Sequence, residues 1–390
     1  MFLPESIPAL DAEFFQALKG KSYPEVCHTV LSLFIGEEVP GDDLQACIDA
    51  AFSKFANPEV VPVAHVDGAG VHVVELWWGP TLAFKDLGLQ LIGQLLELFL
   101  RRRRGRATIV VGTSGDTGSA AIQGVLGLDA VDIVVLYPHG LTSDAQRLQM
   151  VTVDAPNVHV FATAGTSDDL DVPIKAVFND SDFCAEHSVM SANSINVARI
   201  LIQMVHFFYT WAKLADTAAM QPVSFVVPTG AAGHVTAGVL AKLCGLPVHR
   251  LVAATNCNDI MHSVVSTGCM HVSPAGVVPT TSPSMDIQSP YNVERMLYLL
   301  MNSEHPELVA ELITAFDTTG RMDVPAEWAD QWVPRLGLAS VAIPEDEVKA
   351  TIASIYEDFK YVVDPHTAVG VAAALAQADA WDGGVKTPVV

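Results

Sequence analysis

The sequence predicts an α/β protein of two lobes, each on a parallel sheet, preceded by a helical segment. Three observations carry this. Short apolar strand patterns alternate with amphipathic helical ones, the order that builds parallel sheets with helices on both faces. The alternation comes in two runs, split by the polar, alanine-rich stretch 215–222. Each run contains a loop rich in small residues between a strand and a helix. At 390 residues, two lobes and an appendage are expected rather than one domain.

In order along the chain, residues 10–13 open a first helix and a second runs near 23–35. A third, 42–55, is amphipathic through Leu44, Cys47, Ile48 and Ala51. Residues 61–76 alternate as strands around Gly68-Ala69-Gly70. The first run then reads helix 86–103, strand 107–111, helix 119–126, strand 132–137, helix 144–151, strand 158–162, helix 168–179, a loop, and the long helix 196–214. The second reads strand 223–227, helix 233–243 and strand 250–254. Residues 267–289 are rich in proline and serine and read as a long loop, a kind more often functional than idle. Asp364-Pro365-His366-Thr367 turns into a helix at 368–378. Open parallel sheets bind ligands at the carboxyl ends of their strands, here in the cleft expected between the lobes. The loops after Val111 and Val227 therefore matter most.

Composition excludes several functions. Half of the residues are hydrophobic and 17% are charged, a globular balance. The net charge of −23 disfavours nucleic acid and anionic membranes as partners. No apolar run is long enough to span a bilayer, and the first residues lack a secretory pattern. Cys27, Cys47, Cys184, Cys244, Cys257 and Cys269 are scattered without a CxxC pair, which reads as reduced thiols in a cytoplasm-like compartment. The 13 histidines include no HExxH, so no metal is expected. The cluster Arg101–Arg104 with Arg106 reads as a solvated helix end. No coiled coil or tail sets an oligomeric state.

Four stretches could carry chemistry. In Gly79-Pro80-Thr81-Leu82-Ala83-Phe84-Lys85-Asp86 a single lysine stands among apolar and small residues at a helix start. A desolvated lysine can attack an aldehyde, whereas the plain reading is a lysine reaching solvent. Gly112-Thr113-Ser114-Gly115-Asp116-Thr117-Gly118-Ser119 lies between a strand and a helix. It matches neither GxGxxG nor GxxxxGK, and its free N–H groups suit a small anion such as a carboxylate. Pro228-Thr229-Gly230-Ala231-Ala232-Gly233-His234 is a second such loop, whose natural guest is a phosphate. In Ser191–Arg199, amides, hydroxyls and an arginine could hold a further phosphate, or simply cap a helix with an exterior ion pair. Two anion loops and one lysine suit a phosphorylated aldehyde and an amino acid, that is, pyridoxal 5'-phosphate (PLP) chemistry.

Together these blocks resemble the threonine synthase family, most closely its threonine synthase-like, phospho-lyase-type members. The matching stretches are GPTLAFKD (79–86), VGTSGDTGSAA (111–121), NSIN (193–196), PTGAAG (228–233), ATNCNDI (254–260), SPSMDIQ (282–288) and DPHTAVG (364–370), in the family's order over nearly the whole chain. The resemblance implies the tryptophan-synthase-β-like PLP fold, fold type II. On that fold residues 1–62 form the N-terminal helical segment, 106–215 the small lobe, and 63–105 with 216–390 the large PLP-binding lobe.

It also implies roles. Lys85 would bond the cofactor's aldehyde and be the catalytic base. Asp116 would lie near the phenolic oxygen, and Gly230, Ala231, Ala232, Gly233 and His234 would cradle the phosphate. Ser114, Gly115 and Thr117, with Asp116, would bind the substrate carboxylate. Ser191, Asn193, Ser194, Asn196 and Arg199 would bind the substrate's phosphate. The implied substrate is O-phospho-L-homoserine or a related phosphorylated amino acid. Elimination would give 2-oxobutyrate, ammonia and phosphate; water addition would give threonine.

Where threonine synthases commonly carry Asn-Phe and a final Asn in the phosphate loop, this chain has Ala231-Ala232 and His234. With Ser289-Pro290-Tyr291-Asn292-Val293-Glu294-Arg295, this favours the lyase branch. The family pattern also implies a Ser-Thr-Arg-Gly segment before Met1 and a late segment after Val390 whose Ser/Thr meets the pyridine nitrogen. A catalytically silent ligand-binding relative and a dehydratase acting on unphosphorylated substrates are the competing readings.

Overall fold

Residues 1–166 and 169–381 are described by the computed structural model. The strands are β1 (Val63–Val66), β2 (Val71–Val74), β3 (Ala107–Gly112), β4 (Val131–Pro138), β5 (Val158–Thr163), β6 (Val189–Ser191), β7 (Val223–Pro228), β8 (Val248–Thr255), β9 (Cys269–His271), β10 (Arg321–Asp323) and β11 (Leu338–Ala342). Two sheets are parallel, in the orders β5-β4-β3-β6 and β11-β8-β7. Two antiparallel pairs, β1-β2 and β9-β10, complete the set among the described residues.

Contacts divide the chain into two compact units. One holds Ser22–Pro62 and Glu75–Val205, and therefore the four-stranded sheet. The other holds Met1–Lys21, Val63–Val74 and the chain from His206 onward, with the three-stranded sheet. These units cut across the segmentation expected from sequence. Helices Tyr23–Ile35 and Gly41–Phe52 do not stand apart, because the apolar face of Gly41–Phe52 packs on helix Lys85–Arg103. The first residues belong instead with the other unit, where Phe15 stacks on Phe208 at 5.9 Å and meets Trp211 edge-on at 5.6 Å.

In the first unit, β3 and β4 bury alternate residues, with Ile109, Val111, Ile133 and Val135 inside. Helices Lys85–Arg103 and Asp116–Val125 cross where both carry glycine. A Cβ on Gly93 would lie 2.0 Å from the Gly124 carbonyl oxygen, and one on Gly124 would lie 2.5 Å from that of Leu89. Backbones so close leave no room for side chains, so the crossing point is fixed. The same number of residues separates it from Lys85 along one helix and from Asp116 along the other.

Several elements differ from the sequence reading. The stretch between 179 and 196 is not only loop: it contains helix Ser181–His187 and the edge strand β6. Within 267–289, β9 pairs with β10 and Pro283–Met285 forms a short helical turn. Helix Asp116–Val125 starts before Ser119 and takes in Asp116. Helix Asp171–Asn179 replaces the one read from 168, a position outside the described residues. The chain between 290 and 363 adds five helices and β11, which pairs with β8. No helix among the described residues is long and apolar enough to cross a membrane.

Candidate active site

Lys85 is the first residue of helix Lys85–Arg103, and the turn before it is locked by the residue after it. The Asp86 carboxylate is fully buried and accepts from the Thr81 N–H and the Thr81 hydroxyl, both at 2.8 Å. A Cβ on Gly79 would sit 2.5 Å from Asp86, so the Gly-Pro turn closes tightly over that carboxylate. Gln149 donates to the Thr81 carbonyl at 3.0 Å. Burial pushes the Asp86 carboxyl up to about 6, with the Asp116 charge adding to the rise and the Thr81 bonds opposing it.

The Lys85 ammonium donates to Asp116 Oδ2 at 2.8 Å, and the two side chains are only 13% and 19% exposed. It also lies 4.8 Å from the centre of the Phe84 ring, within cation–π range. Asp116 opens helix Asp116–Val125, where the amide dipoles favour an anion. The loop before it is ordered by Thr113, whose hydroxyl accepts the N–H groups of Gly115 at 2.9 Å and Gly118 at 3.0 Å. Gly115 has φ of +147°, and a Cβ there would meet Gln146 at 2.6 Å. Gln146 donates to Asp116 Oδ1, and Ser143 donates to Gln146 Oε1 at 2.8 Å. Ser114 and Thr117 flank Asp116 at half-buried positions.

Ser191, Asn193, Ser194, Asn196 and Arg199 are brought together in one turn at the end of β6, and much of their polarity serves that turn. Ser191 Oγ accepts the Asn193 N–H at 3.2 Å, and Asn196 Oδ1 accepts the Ala198 N–H at 3.0 Å. Arg199 is 3% exposed and donates to the Ala192 carbonyl at 3.1 Å, so its guanidinium does not lie at the exterior. Asn193 Oδ1 is buried without a hydrogen-bond partner among the described residues.

In the other unit, β7 ends at Pro228 and the chain passes through residues 229–232 into helix Gly233–Leu243. Thr229 fixes the exit: its N–H bonds the Ala254 carbonyl at 2.8 Å and its hydroxyl the Val227 carbonyl at 2.7 Å. Ala232 is left-handed with φ of 61°. Among the described residues no acceptor takes the N–H groups of Gly230, Ala231, Ala232 or Gly233. Such a run of free amides at a helix start is a nest for an anion. The His234 ring packs 5.4 Å from His206 and 5.3 Å from Phe207, and burial holds it down at about 4. Its imidazole is therefore neutral near pH 7 and adds no charge to the loop.

The remaining motifs brace this loop. The Asn256 amide donates to Thr280 and Ser282 hydroxyls, both at 2.9 Å, and to Asp286 at 2.8 Å; Asn258 donates to Asp286 at 3.0 Å. That network seats 278–286 so that a Cβ on Gly230 would lie 2.8 Å from the Ser284 carbonyl oxygen. His366 accepts the Ser284 N–H at 3.2 Å on one ring nitrogen and meets Asp364 at 2.7 Å with the other. Asp364 also caps its helix, accepting from Thr367 N–H at 3.0 Å, and is held down at about 2 although burial opposes this. Asn292 and Arg295 behind the loop, like Gln146 beside Asp116, were not foreseen as site residues, since their partners lie far away in sequence.

The Lys85 amine suits a carbonyl compound, and the helix-start loops suit anions. A family model described as the threonine synthase N terminus matches residues 1–52. Threonine synthase-like 2 of Xenopus laevis is 42% identical over 98% of this chain and 80% of its own length. Threonine synthase of Schizosaccharomyces pombe is 39% identical over 96% of this chain and 78% of its own. The crystal structure of PLP-bound threonine synthase from Brucella melitensis superposes with a TM-score of 0.90 at 38% identity, covering 99% of this chain and 81% of that one. The fold is therefore the α/β, tryptophan-synthase-β-like fold type II, and with likeness of that extent over nearly every residue, the chain belongs to the threonine synthase family.

Proposed function

We propose that this chain is a PLP-dependent lyase that eliminates phosphate from O-phospho-L-homoserine or a closely related phosphorylated amino acid, giving 2-oxobutyrate, ammonia and phosphate. The observation that carries the reading is the nearly buried Lys85 amine, held at 2.8 Å by Asp116 at the start of a helix. The donor sets fit the cofactor. A lone primary amine suits its aldehyde, and the free amides of residues 230–233 suit its phosphate. When bound, PLP would supply an electron sink for negative charge on the amino acid's α-carbon.

The chain's own groups divide the remaining work. Lys85 takes the proton from the α-carbon and later serves proton transfer at the β-carbon. Asp116, gripped by Gln146, holds the Lys85 amine in position. Ser114, Gly115 and Thr117 surround the place proposed for the substrate carboxylate. Ser191, Asn193, Ser194, Asn196 and Arg199 offer donors for the substrate phosphate. Cleaving the Cγ–O bond expels phosphate with the bonding electrons. Hydrolysis of the resulting enamine then consumes one water and releases ammonia and 2-oxobutyrate.

The second reading, a threonine synthase, sends that water to the β-carbon instead and gives threonine. It is favoured by the name of the S. pombe relative, whereas Ala231-Ala232 and the higher identity to threonine synthase-like 2 favour the lyase. Incubation with O-phospho-L-homoserine, followed by assays for phosphate, 2-oxobutyrate and threonine, separates them. Lys85→Ala is expected to abolish the near-visible absorbance of added PLP and to cut turnover by at least ~10³-fold, as loss of a covalent catalyst does. Full turnover in that variant would sink the proposal.

A further inference from the structure

The segment 289–295 has a second meaning once its geometry is seen. Asn292 immediately precedes helix Val293–Leu300 without a side-chain capping bond and is fully buried, and Arg295, one turn on, is 1% exposed. Arg295 donates through Nε to the Phe2 backbone carbonyl at 2.9 Å and through Nη1 to the Asn292 side-chain oxygen Oδ1 at 2.5 Å. The Asn292 amide then donates to the Ala231 carbonyl at 2.9 Å. Arginine, asparagine and loop backbone thus form one directed chain of donors. A guanidinium on the amide's oxygen fixes which end of Asn292 faces the loop, because only the NH₂ end is left to point there, and polarises that NH₂ as a donor.

The consequence lies in peptide geometry. In a trans peptide the carbonyl and the following N–H point in opposite directions. Holding the Ala231 carbonyl back on Asn292 therefore aims the Ala232 N–H away from Asn292, and that N–H has no acceptor among the described residues. A free loop could swing the Ala231 peptide over and present its oxygen to the anion, which would repel it. Ala232 is left-handed, a conformation that costs a residue with a Cβ and must be imposed from outside.

We propose that Asn292, oriented by Arg295, is the positioning residue of the 230–233 loop, and that it sets affinity for the phosphate group of the ligand rather than for its ring or aldehyde. This rests on the reading of that loop as the cofactor-phosphate site.

The test titrates apoprotein with PLP and with pyridoxal, its phosphate-free form, followed by imine absorbance, with inorganic phosphate as competitor. Asn292→Ala is expected to weaken PLP by about tenfold to a hundredfold, the cost of one or two lost buried hydrogen bonds, and to leave pyridoxal within about threefold. Asn292→Asp keeps shape and the Arg295 bond but places a carboxylate against a carbonyl and near the phosphate, so its loss for PLP should exceed about a hundredfold. Arg295→Lys, with its charge kept and its fork lost, should show the same phosphate-selective loss at smaller size and covers the case of an Asn292 variant that fails to fold. Unchanged PLP affinity in these variants overturns the proposal, as does equal weakening of PLP and pyridoxal, the mark of a merely structural residue. Wild-type protein that forms an imine with neither compound overturns the functional reading itself.

Discussion

Around Lys85 the working groups are ionisable side chains, Lys85, Asp86 and Asp116, with Gln146 and Thr81 satisfying their oxygens. In the loop after β7 the working groups are backbone N–H donors, and the histidine beside them is held neutral. The first region can change its charge with pH, while small backbone shifts leave its chemistry available. The second cannot titrate in the physiological range, and its function depends on where a few peptide planes point. Each region therefore has its own failure mode: titration and loss of side chains for one, steric displacement for the other.

Of the further substitutions that test that contrast, the steric one is expected to act most strongly. Gly230→Ala places a Cβ 2.8 Å from the Ser284 carbonyl oxygen and 3.1 Å from Met285 Cα, backbone neighbours pinned by the Asn256–Asp286 network. The loop must move, at a cost of about 1–3 kcal/mol, and PLP affinity should fall by up to about a hundredfold. Equilibrium titration of the variant with PLP checks this. Wild-type affinity there would break the claim that amide placement governs this region. Next in size is Gln146→Ala, which frees one oxygen of Asp116 and with it the aim of the Lys85 amine. Turnover should fall by about tenfold, the worth of one charge-assisted hydrogen bond, with PLP affinity little changed. A drop in affinity with turnover intact would show that Gln146 supports the cofactor rather than the amine.

Both regions are partly legible in the sequence, and the parts that are not share a cause. Lys85 and the loops 112–119 and 228–234 could be read because their chemistry lies in contiguous residues whose small size and helix-start position have a local physical meaning. Helices Tyr23–Ile35, Asp144–Val151 and Gly233–Leu243 likewise carry their limits in local pattern. Gln146 sits on a short, largely exposed helix and acquires its role only from the neighbour that folding brings to it. Asn292 and Arg295 reach Ala231 and Phe2 across most of the chain. Strand β6 has three residues, too few for a period, and β11 sets Leu338 and Val341 three apart among small residues, which gives no alternation. The motifs ATNCNDI and SPSMDIQ were recognisable as patterns, yet their mutual clamp on Gly230 is a tertiary fact.

A subtler test titrates the first region through stability. Asp86 has its folded-state carboxyl raised from 3.8 to about 6 by burial. A raised carboxyl means that the native state holds the proton more tightly, so stability from this group is present below pH 4 and is lost as pH climbs to about 6. The loss is at most about 3 kcal/mol by linkage. Asp364 has the opposite sign: it is held down at about 2, and its contribution is lost only as pH falls below 4. The window from pH 4 to 6 therefore separates Asp86 from Asp364, while His234 and His206, held neutral by burial, add stability as pH rises through it in wild type and variant alike. Asn at this position can still accept the Thr81 N–H and can donate to the Thr81 hydroxyl, so Asp86→Asn should fold. Across that window the difference in urea midpoint between Asp86→Asn and wild type should shift in the variant's favour as pH rises, and parallel curves would show that Asp86 stays ionised throughout.

The smallest effect belongs to the second region and concerns a ratio. His234 loses its proton at about 4 and His206 lies well below its usual value, both through burial. Neither ring carries charge between pH 5.5 and 8, so neither can attract phosphate in that range. The ligand's own phosphate titrates near pH 6, which makes absolute affinities vary with pH and uninformative by themselves. Dividing wild-type affinity for PLP by that of His234→Phe cancels the ligand's titration, because both proteins meet the same phosphate. The backbone N–H at 234 survives the substitution, and the ring's packing against Phe207 is largely kept by another aromatic. The quotient should therefore be within about threefold of unity and the same at both ends of the range. A quotient that grows toward pH 5.5 would mean a protonated imidazole serves the anion after all, and the contrast between a charged region and an amide-built one would no longer hold.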